Sequence, residues 1–251
     1  MRRTLRVLVP LAAAAMPLAL TAAPAMADDA SYQTTLNPLN KSSGSGMAMI
    51  TLSGNKATVK VSWSGLPAKF GDGAYPHVQH IHIGAKGTCP TTGLDTNKDG
   101  VISTTEGGPA YGGIGTTLSV KGDTSPKAGT DIKIAPGGGS ADYERTITVS
   151  DDVVSSLKDG SGVVVVHGLD PATLSKKAQK EKSDLVPSLP LAATSPALCG
   201  SLSSMPSGGV ATGDGSTSGV EDLGLFATGG ALIAVGGGLF AASRRRRTVG
   251  V

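Results

Sequence analysis

The sequence has few aromatic residues, with one Trp, four Tyr and three Phe among 251 residues. Proteins that hold single-stranded nucleic acid stack its bases on aromatic side chains, so this scarcity argues against such a function. The formal net charge of +3 is misleading, because three of the 22 basic residues lie in the first six residues and four in residues 244–251. The remaining 15 face all 19 acidic residues, a net charge of −4. We therefore expect no nucleic-acid partner.

The first 27 residues have the pattern of a signal peptide. Arg2, Arg3 and Arg6 precede an apolar stretch that ends at Leu20, and Ala25-Met26-Ala27 supplies the small residues of a cleavage site. We predict that residues 1–27 are removed on export and that the body of the chain folds outside the cytosol.

Charge and proline are absent from residues 223–243. A stretch of about 20 such residues can cross a bilayer as a helix; a buried core helix is the alternative. Four arginines begin the tail 244–251, which the positive-inside rule places in the cytoplasm. Residues 201–222 are rich in Ser, Gly and Thr and are interpreted as a flexible stalk. The expected location is the outer face of the cell membrane, with a single C-terminal span as the anchor.

Residues 28–200 are expected to form one all-β domain. Apolar and polar residues alternate or form short runs between Gly, Pro, Asn and Asp, a pattern that predicts a sandwich or barrel. The clearest predicted strands are 57–63, 117–120, 132–135 and 143–149. Residues 28–45 are predicted to pair as an edge strand or to stay loose. One short helix is predicted at 151–157, with Ser150 as its N-cap.

Residues 95–106 match the spacing of a 12-residue calcium loop. Gly100 occupies the sharp turn at position 6. Gly107-Gly108-Pro109 follows where an exiting helix should begin, so the segment resembles an EF-hand loop without its helices. An acidic surface turn is the alternative. Extracellular loops of this kind bind calcium with a Kd of about 10⁻⁴–10⁻³ M, which predicts a stabilising ion and no signalling switch. The expected ligands are Asp95, Asn97, Asp99, Ser103, Glu106 and the backbone carbonyl of Val101.

Histidine is scarce too, and three of the four residues lie close together. His80 and His82 would project from the same face of a strand and His77 from the other. His167, which closes the run Gly162–Val166, could complete a three-nitrogen site. Imidazole suits copper or zinc. Two interpretations stay open: a metal site, with His77 as a further candidate, or hydrogen-bonded structural histidines.

Only two cysteines occur, Cys89 and Cys199. An exported chain with two cysteines tends to join them, so we predict a structural disulfide. Two free thiols are the alternative.

The order of these motifs resembles two families. His80-Ile81-His82, Cys89, Val163–His167 and Ala197–Gly200 are similar in order to the core of copper/zinc superoxide dismutase. They look more like the CHRD domain, named from chordin, of secreted actinobacterial proteins. The resemblance covers residues 44–200 and implies an Ig-like or superoxide dismutase-like Greek-key sandwich, here with the calcium loop inserted.

The dismutase resemblance implies copper ligation by His80, His82 and His167. No histidine lies between His82 and His167, so the bridging histidine and the zinc ligands of that family are missing. Thr194-Ser195-Pro196 stands where the family has its guiding arginine. A working dismutase is therefore not expected.

The sequence as a whole predicts a non-catalytic, membrane-anchored surface module that binds calcium and copper or zinc. Its expected role is structural or adhesive, with an envelope protein or glycan as partner. A copper oxidoreductase of dismutase type is the alternative.

Overall fold

The computed structural model describes residues 29–206, and the predicted all-β class is confirmed. The strands in this range are β1 (Ala30–Pro38), β2 (Ser45–Ser53), β3 (Lys56–Ser64), β4 (Lys69–Phe70), β5 (Gly73–Ala74), β6 (Gln79–Ile83), β7 (Gly113–Thr117), β8 (Ser140–Thr148), β9 (Val163–His167), β10 (Pro196–Ser201) and β11 (Ser203–Ser204). The α-helices are α1 (Thr104–Tyr111), α2 (Asp151–Lys158) and α3 (Leu191–Thr194).

One curled antiparallel sheet, a half-barrel, dominates the fold. Its strand order is β7-β6-β9-β10-β1-β2-β3-β8, with β11 paired to β1, while β4 and β5 form a separate hairpin. The predicted alternation in β3 is confirmed, because Ala57, Val59, Val61 and Trp63 are buried and the residues between them are more exposed. These side chains enter the main core, which gains most of its stability from the burial of apolar surface.

Strands β6 and β9 are buried on both faces. Val164, Val166 and Ile81 belong to the main core, whereas Val163 and Val165 pack with Tyr111 and Cys199 in a second, smaller cluster. A strand covered on both sides has a continuous apolar sequence, which accounts for the run of four valines.

Several local predictions were wrong. Residues 132–135 hold no strand, because Ile132–Ile134 forms a 3₁₀ turn in which the Asp131 side chain accepts a hydrogen bond from the N–H of Lys133. Of residues 117–120, only Thr117 lies in a strand. Strand β1 is not at an edge, because it pairs with β2 on one side and with β10 and β11 on the other.

Helix α2 follows its prediction closely. The Ser150 hydroxyl accepts a hydrogen bond from the N–H of Val153, which satisfies one of the free donors of the first turn. Val153 and Leu157, four residues apart, are the buried residues of this helix. Asp151 and Asp152 lie in its first turn, where the helix dipole favours negative charge.

The predicted disulfide is confirmed. Cys89 and Cys199 are bonded, with their Cα atoms 5.8 Å apart, and no free cysteine occurs in the described range. Cys199 lies on β10, the neighbour of β9. The bridge therefore fixes the segment between β6 and α1 to the centre of the sheet.

The ordered domain reaches slightly further than residue 200. Ser203 pairs with Gln33 and Ser204 with Tyr32, so the first residues of the predicted stalk belong to the sheet. The predicted signal peptide, the rest of the stalk from residue 207, the membrane span 223–243 and the tail 244–251 lie outside the described residues. Between residues 29 and 206, no helix is long and apolar enough to cross a membrane.

Candidate metal centre

Strands β6 and β9 bring three histidines onto one face of the sheet. His80 faces Val165 and His82 faces Val163 in the antiparallel register, and His167 follows Val165 by two residues. Directly opposed residues and residues two apart project from the same side of a sheet. The prediction that His80, His82 and His167 lie together is confirmed, and we call these three residues the triad.

The triad is compact and buried. Each of its members is 2 % exposed. The ring centroids of His80 and His82 are 5.4 Å apart, those of His80 and His167 5.2 Å, and those of His82 and His167 6.0 Å. One ligand nitrogen from each ring lies within 4.8 Å of the other two, so all three can approach one metal ion. No other group of three or more His, Cys, Asp or Glu residues converges in this way within residues 29–206.

A backbone carbonyl engages one nitrogen of each ring. His80 Nε2 is 2.9 Å from the oxygen of Gly129, His82 Nδ1 is 2.9 Å from that of Gly112, and His167 Nδ1 is 2.6 Å from that of Thr194. A carbonyl oxygen only accepts, so the ring N–H donates at each of these contacts.

The opposite nitrogen of each ring is left free. His80 Nδ1, His82 Nε2 and His167 Nε2 are buried and have no hydrogen-bond partner among the described residues. Buried polar atoms without a partner are rare and call for an explanation. Metal-binding histidines have this arrangement, because a hydrogen bond to the second nitrogen fixes the tautomer and points the free lone pair at the ion.

Two of the carbonyls that accept from the imidazoles belong to glycines, at positions where the fold leaves no room for a side chain. A Cβ at Gly129 would collide with the side chain of Ile114 and lie 3.3 Å from His80 Nε2. A Cβ at Gly112 would collide with the carbonyl of Ile83, and the φ of Gly112 is +89°. A side chain at either position would therefore displace the backbone whose carbonyl holds the imidazole.

The environment keeps the triad uncharged. Burial lowers the pKa of His82 to about 3, with further lowering by the nearby His167 and partial compensation by the Gly112 carbonyl. Burial lowers the pKa of His167 to about 4, and that of His80 also falls well below the usual value. Metal ions bind neutral imidazole, so the free nitrogens are available at neutral and mildly acidic pH.

A small pocket opens beside the triad. Its volume is about 40 Å³, enough for two or three water-sized molecules. The walls away from the histidines are largely apolar, and Ile132 and Leu185 are half-exposed at this site. The apolar wall residues are Pro76, Val78, Ile114, Ile132, Leu185, Leu189 and Ala193. An ion held by the triad would therefore have room for one additional small ligand.

His77 occupies a different environment. Its Nδ1 lies 2.8 Å from the carbonyl oxygen of His167 and its Nε2 lies 2.9 Å from that of Pro67, so neither nitrogen is free. The ring stacks on Tyr75 and meets the edge of Trp63. His77 contacts the backbone of His167, a triad residue, and is not itself part of the triad.

The acidic loop 95–106 is closed by hydrogen bonds of its own. The Asp95 carboxylate accepts from the N–H groups of Asp99 and Gly100, and Glu106 Oε1 accepts from the N–H and the hydroxyl of Thr96. Partial burial raises the pKa of Glu106, but the hydrogen bonds that it accepts from Thr96, Ser103 and Asn97 outweigh burial and leave the pKa below its usual value. The loop carboxylates form no convergent set comparable to the triad, and calcium binding stays a prediction.

The expectation that no helix follows the loop was wrong. Ser103 and Glu106 form a capping box, in which each side chain accepts from the backbone N–H of the other. Helix α1 starts there and continues through Pro109 to Tyr111. On the other side, a single 3₁₀ turn at Thr92–Leu94 precedes the loop.

Some residues of the centre carry no signal in the sequence. The carbonyls that hold the imidazoles belong to Gly112, Gly129 and Thr194, and any residue type can offer a carbonyl. The ring centroids of Tyr111 and His82 are 4.6 Å apart, edge to face, and the Tyr111 hydroxyl donates to the carbonyl oxygen of Thr104. Only the glycines, which permit close approach, hint at this role.

Comparison of the sequence with family models and with curated proteins gave no match.

Proposed function

We propose that this chain is an exported, membrane-anchored surface module whose β domain holds a copper or zinc ion at the triad. Two observations carry the proposal: each ring has a buried nitrogen without a partner, and one ligand nitrogen from each ring lies within 4.8 Å of the other two. The sequence patterns at residues 1–27 and 223–243 support export and anchoring.

A structural or adhesive role in the cell envelope, with an envelope protein or glycan as partner, is the physiological part of this proposal. The motif order that resembles the CHRD domain supports this role. The strand arrangement supports the fold that the resemblance implies. Strands β1, β2 and β3 are consecutive, and β10 returns to lie beside β1, which is the spatial order of a Greek key. We therefore propose a CHRD-like Greek-key sandwich.

Calcium in the acidic loop is a further part of the proposal. The loop has the spacing of an EF-hand and an exiting helix, α1, whose N-cap is the ninth position, Ser103. An ion there would hold the segment between the disulfide and α1, and its role would be structural.

A copper oxidoreductase is the second candidate, and the pocket beside the triad favours it. Catalytic metal sites keep an open coordination position, and the pocket leaves space for one. Against it stand the missing bridging histidine and guiding arginine of the dismutase pattern. Redox activity of the copper-loaded chain that disappears with His82→Asn would support this candidate.

Metal content tests the proposal directly. The full chain, purified without any chelator, should carry close to one equivalent of copper or zinc by mass spectrometry. His82→Asn and His167→Asn should lose this metal yet fold, because the Asn amide can replace the Nδ1–H that donates to Gly112 or Thr194.

Asp95→Ala serves as the control for the histidine variants. It removes a loop carboxylate and leaves the triad intact, so copper or zinc should stay bound. A chain without copper or zinc, which also fails to take up either ion when it is offered, would overturn the proposal.

A further inference from the structure

The charge of the triad decides which ion it holds best. Each imidazole is neutral, because one nitrogen donates to a carbonyl and the other is free. The ligand set has no carboxylate or thiolate. In the described part of the chain, none of the side chains that line the adjoining pocket is charged. A bound ion therefore keeps its whole charge inside the protein.

Burial of that charge penalises divalent ions most. The solvation lost on transfer from water to a medium of low dielectric constant grows with the square of the charge, so a divalent ion loses about four times as much as a monovalent one. Neutral imidazoles return part of this loss but cancel none of the charge.

A divalent ion could recruit hydroxide as a fourth ligand, but the surroundings offer that anion little help. The N-terminus of α1, which borders the pocket at Thr104, is already occupied by carboxylates. Ser103 N–H donates to Glu106, and Thr105 N–H donates to Asp184. Asp131 and Lys133, the sequence neighbours of the pocket residue Ile132, carry opposite charges and so add no net charge to that segment.

The number of donors in the triad also favours a monovalent ion. Zinc in proteins takes four ligands in a tetrahedron, and divalent copper prefers a tetragonal arrangement of nitrogen and oxygen. Monovalent copper has a filled d shell and accepts three ligands. The triad supplies three nitrogens, so Cu⁺ needs no further donor, whereas Zn²⁺ and Cu²⁺ would need the small ligand for which the pocket has room. Apolar side chains such as Val78 and Leu189 form much of the wall and offer such a ligand few hydrogen-bond partners.

We propose that the triad selects monovalent copper over Zn²⁺ and Cu²⁺. This inference rests on the proposed metal-binding function and narrows it: the protein holds reduced copper, and oxidation of the ion is disfavoured by burial.

Competition titrations of the full chain test the selectivity. Cu⁺ is offered without oxygen against a coloured Cu⁺ chelator, and Zn²⁺ and Cu²⁺ against chelators of matched strength. We expect the affinity for Cu⁺ to exceed that for Zn²⁺ by about a thousandfold or more. An affinity for Zn²⁺ or Cu²⁺ equal to or above that for Cu⁺, still abolished by His82→Asn, would overturn the selectivity and leave the proposed function standing. Binding of none of the three ions would overturn both.

A matched pair of variants tests the cause. Thr130 lines the pocket, is exposed and lies in a turn outside the strands, so the fold should tolerate its replacement. Thr130→Asp adds one negative charge and should lower the preference for Cu⁺ over Zn²⁺ by about tenfold. Thr130→Asn has the same shape without the charge and should keep the original ratio. Equal ratios in the two variants would show that charge does not set the preference.

Discussion

The triad and the acidic loop differ in how the fold prepares their donor atoms. Each imidazole of the triad has one nitrogen fixed by a carbonyl and the other free, whereas the carboxylates of Asp95 and Glu106 accept hydrogen bonds from the loop itself. The triad lies within the sheet and is almost fully buried, while five of the twelve loop residues are exposed. Motif spacing alone therefore does not make a preorganised site. A preorganised site needs donor side chains that the fold holds rigidly and whose metal-binding lone pairs are free.

Removal of the disulfide should have the largest effect on stability and affect both regions. The Cys89→Ala, Cys199→Ala double variant opens a loop with a sequence separation of 110 residues. We expect its free energy of unfolding to fall by about 4 to 5 kcal/mol, as chain entropy predicts for a loop of this length. Denaturant unfolding measures the change. An unchanged transition would mean that the sheet fixes both regions without the bridge.

Acid should destabilise the triad and the acidic loop in different pH ranges. The pKa values of His82 and His167, about 3 and about 4, lie below that of an unfolded histidine. The unfolded chain therefore takes up protons first as the pH falls below about 6.5, and stability is lost toward the folded pKa values. Between pH 7 and 5 the metal-free protein should lose about 4 kcal/mol from these two residues together.

The loop and its contacts respond at lower pH through carboxyl groups, which lose their charge in acid, whereas histidines gain charge. The pKa values of Glu106 and Asp184 are lowered by the hydrogen bonds they accept, so their stabilisation is present above the pKa of the unfolded carboxyl and disappears in stronger acid. Denaturant unfolding at a series of pH values measures both windows. Replacement of His82 and His167 by Asn should reduce the loss above pH 5 to the part due to His80, whose pKa is also lowered, and keep the loss below about pH 4. A histidine-independent loss above pH 5 would contradict this assignment.

Calcium should stabilise through the loop alone. With a Kd of about 10⁻⁴–10⁻³ M, calcium at about 10 mM should raise the free energy of unfolding by about 1 to 3 kcal/mol. Asp95→Ala should remove the increase and His82→Asn should keep it. Thermal unfolding with and without calcium measures the effect, and magnesium at equal concentration controls for ionic strength. Equal stability with the two cations would show that the loop is an acidic turn.

The smallest effect is expected at the start of α1. Ser103 accepts from the N–H of Glu106 and donates to Asp184, so Ser103→Ala should cost about 1 to 2 kcal/mol. The contacts of α1 with His82 come from its other end, at Tyr111 and Gly112, so metal affinity at the triad should stay the same. A parallel loss of copper or zinc would show that the two regions are coupled.

The sequence allowed prediction where the physical signal is local. Period-2 projection placed His80 and His82 on one face, and the run of valines identified the strand that carries His167. The N-cap at Ser150 and the disulfide followed from similarly direct rules.

Predictions failed where local interactions compete. The apolar run at 132–135 has strand propensity, but the Asp131 side chain captures the backbone N–H of Lys133 and closes a turn. At α1, the capping box outweighs Gly107, Gly108 and Pro109. The carbonyls behind the triad could not be predicted, because they depend on the path of the backbone between distant strands.

X-ray diffraction at the absorption edge of the bound metal would test the central claim most directly. We predict one anomalous peak about 2.0 to 2.2 Å from His80 Nδ1, His82 Nε2 and His167 Nε2 in crystals of the chain purified without chelator. A peak at the acidic loop or on the surface, with the three nitrogens unligated, would contradict the assignment of the triad as the metal centre.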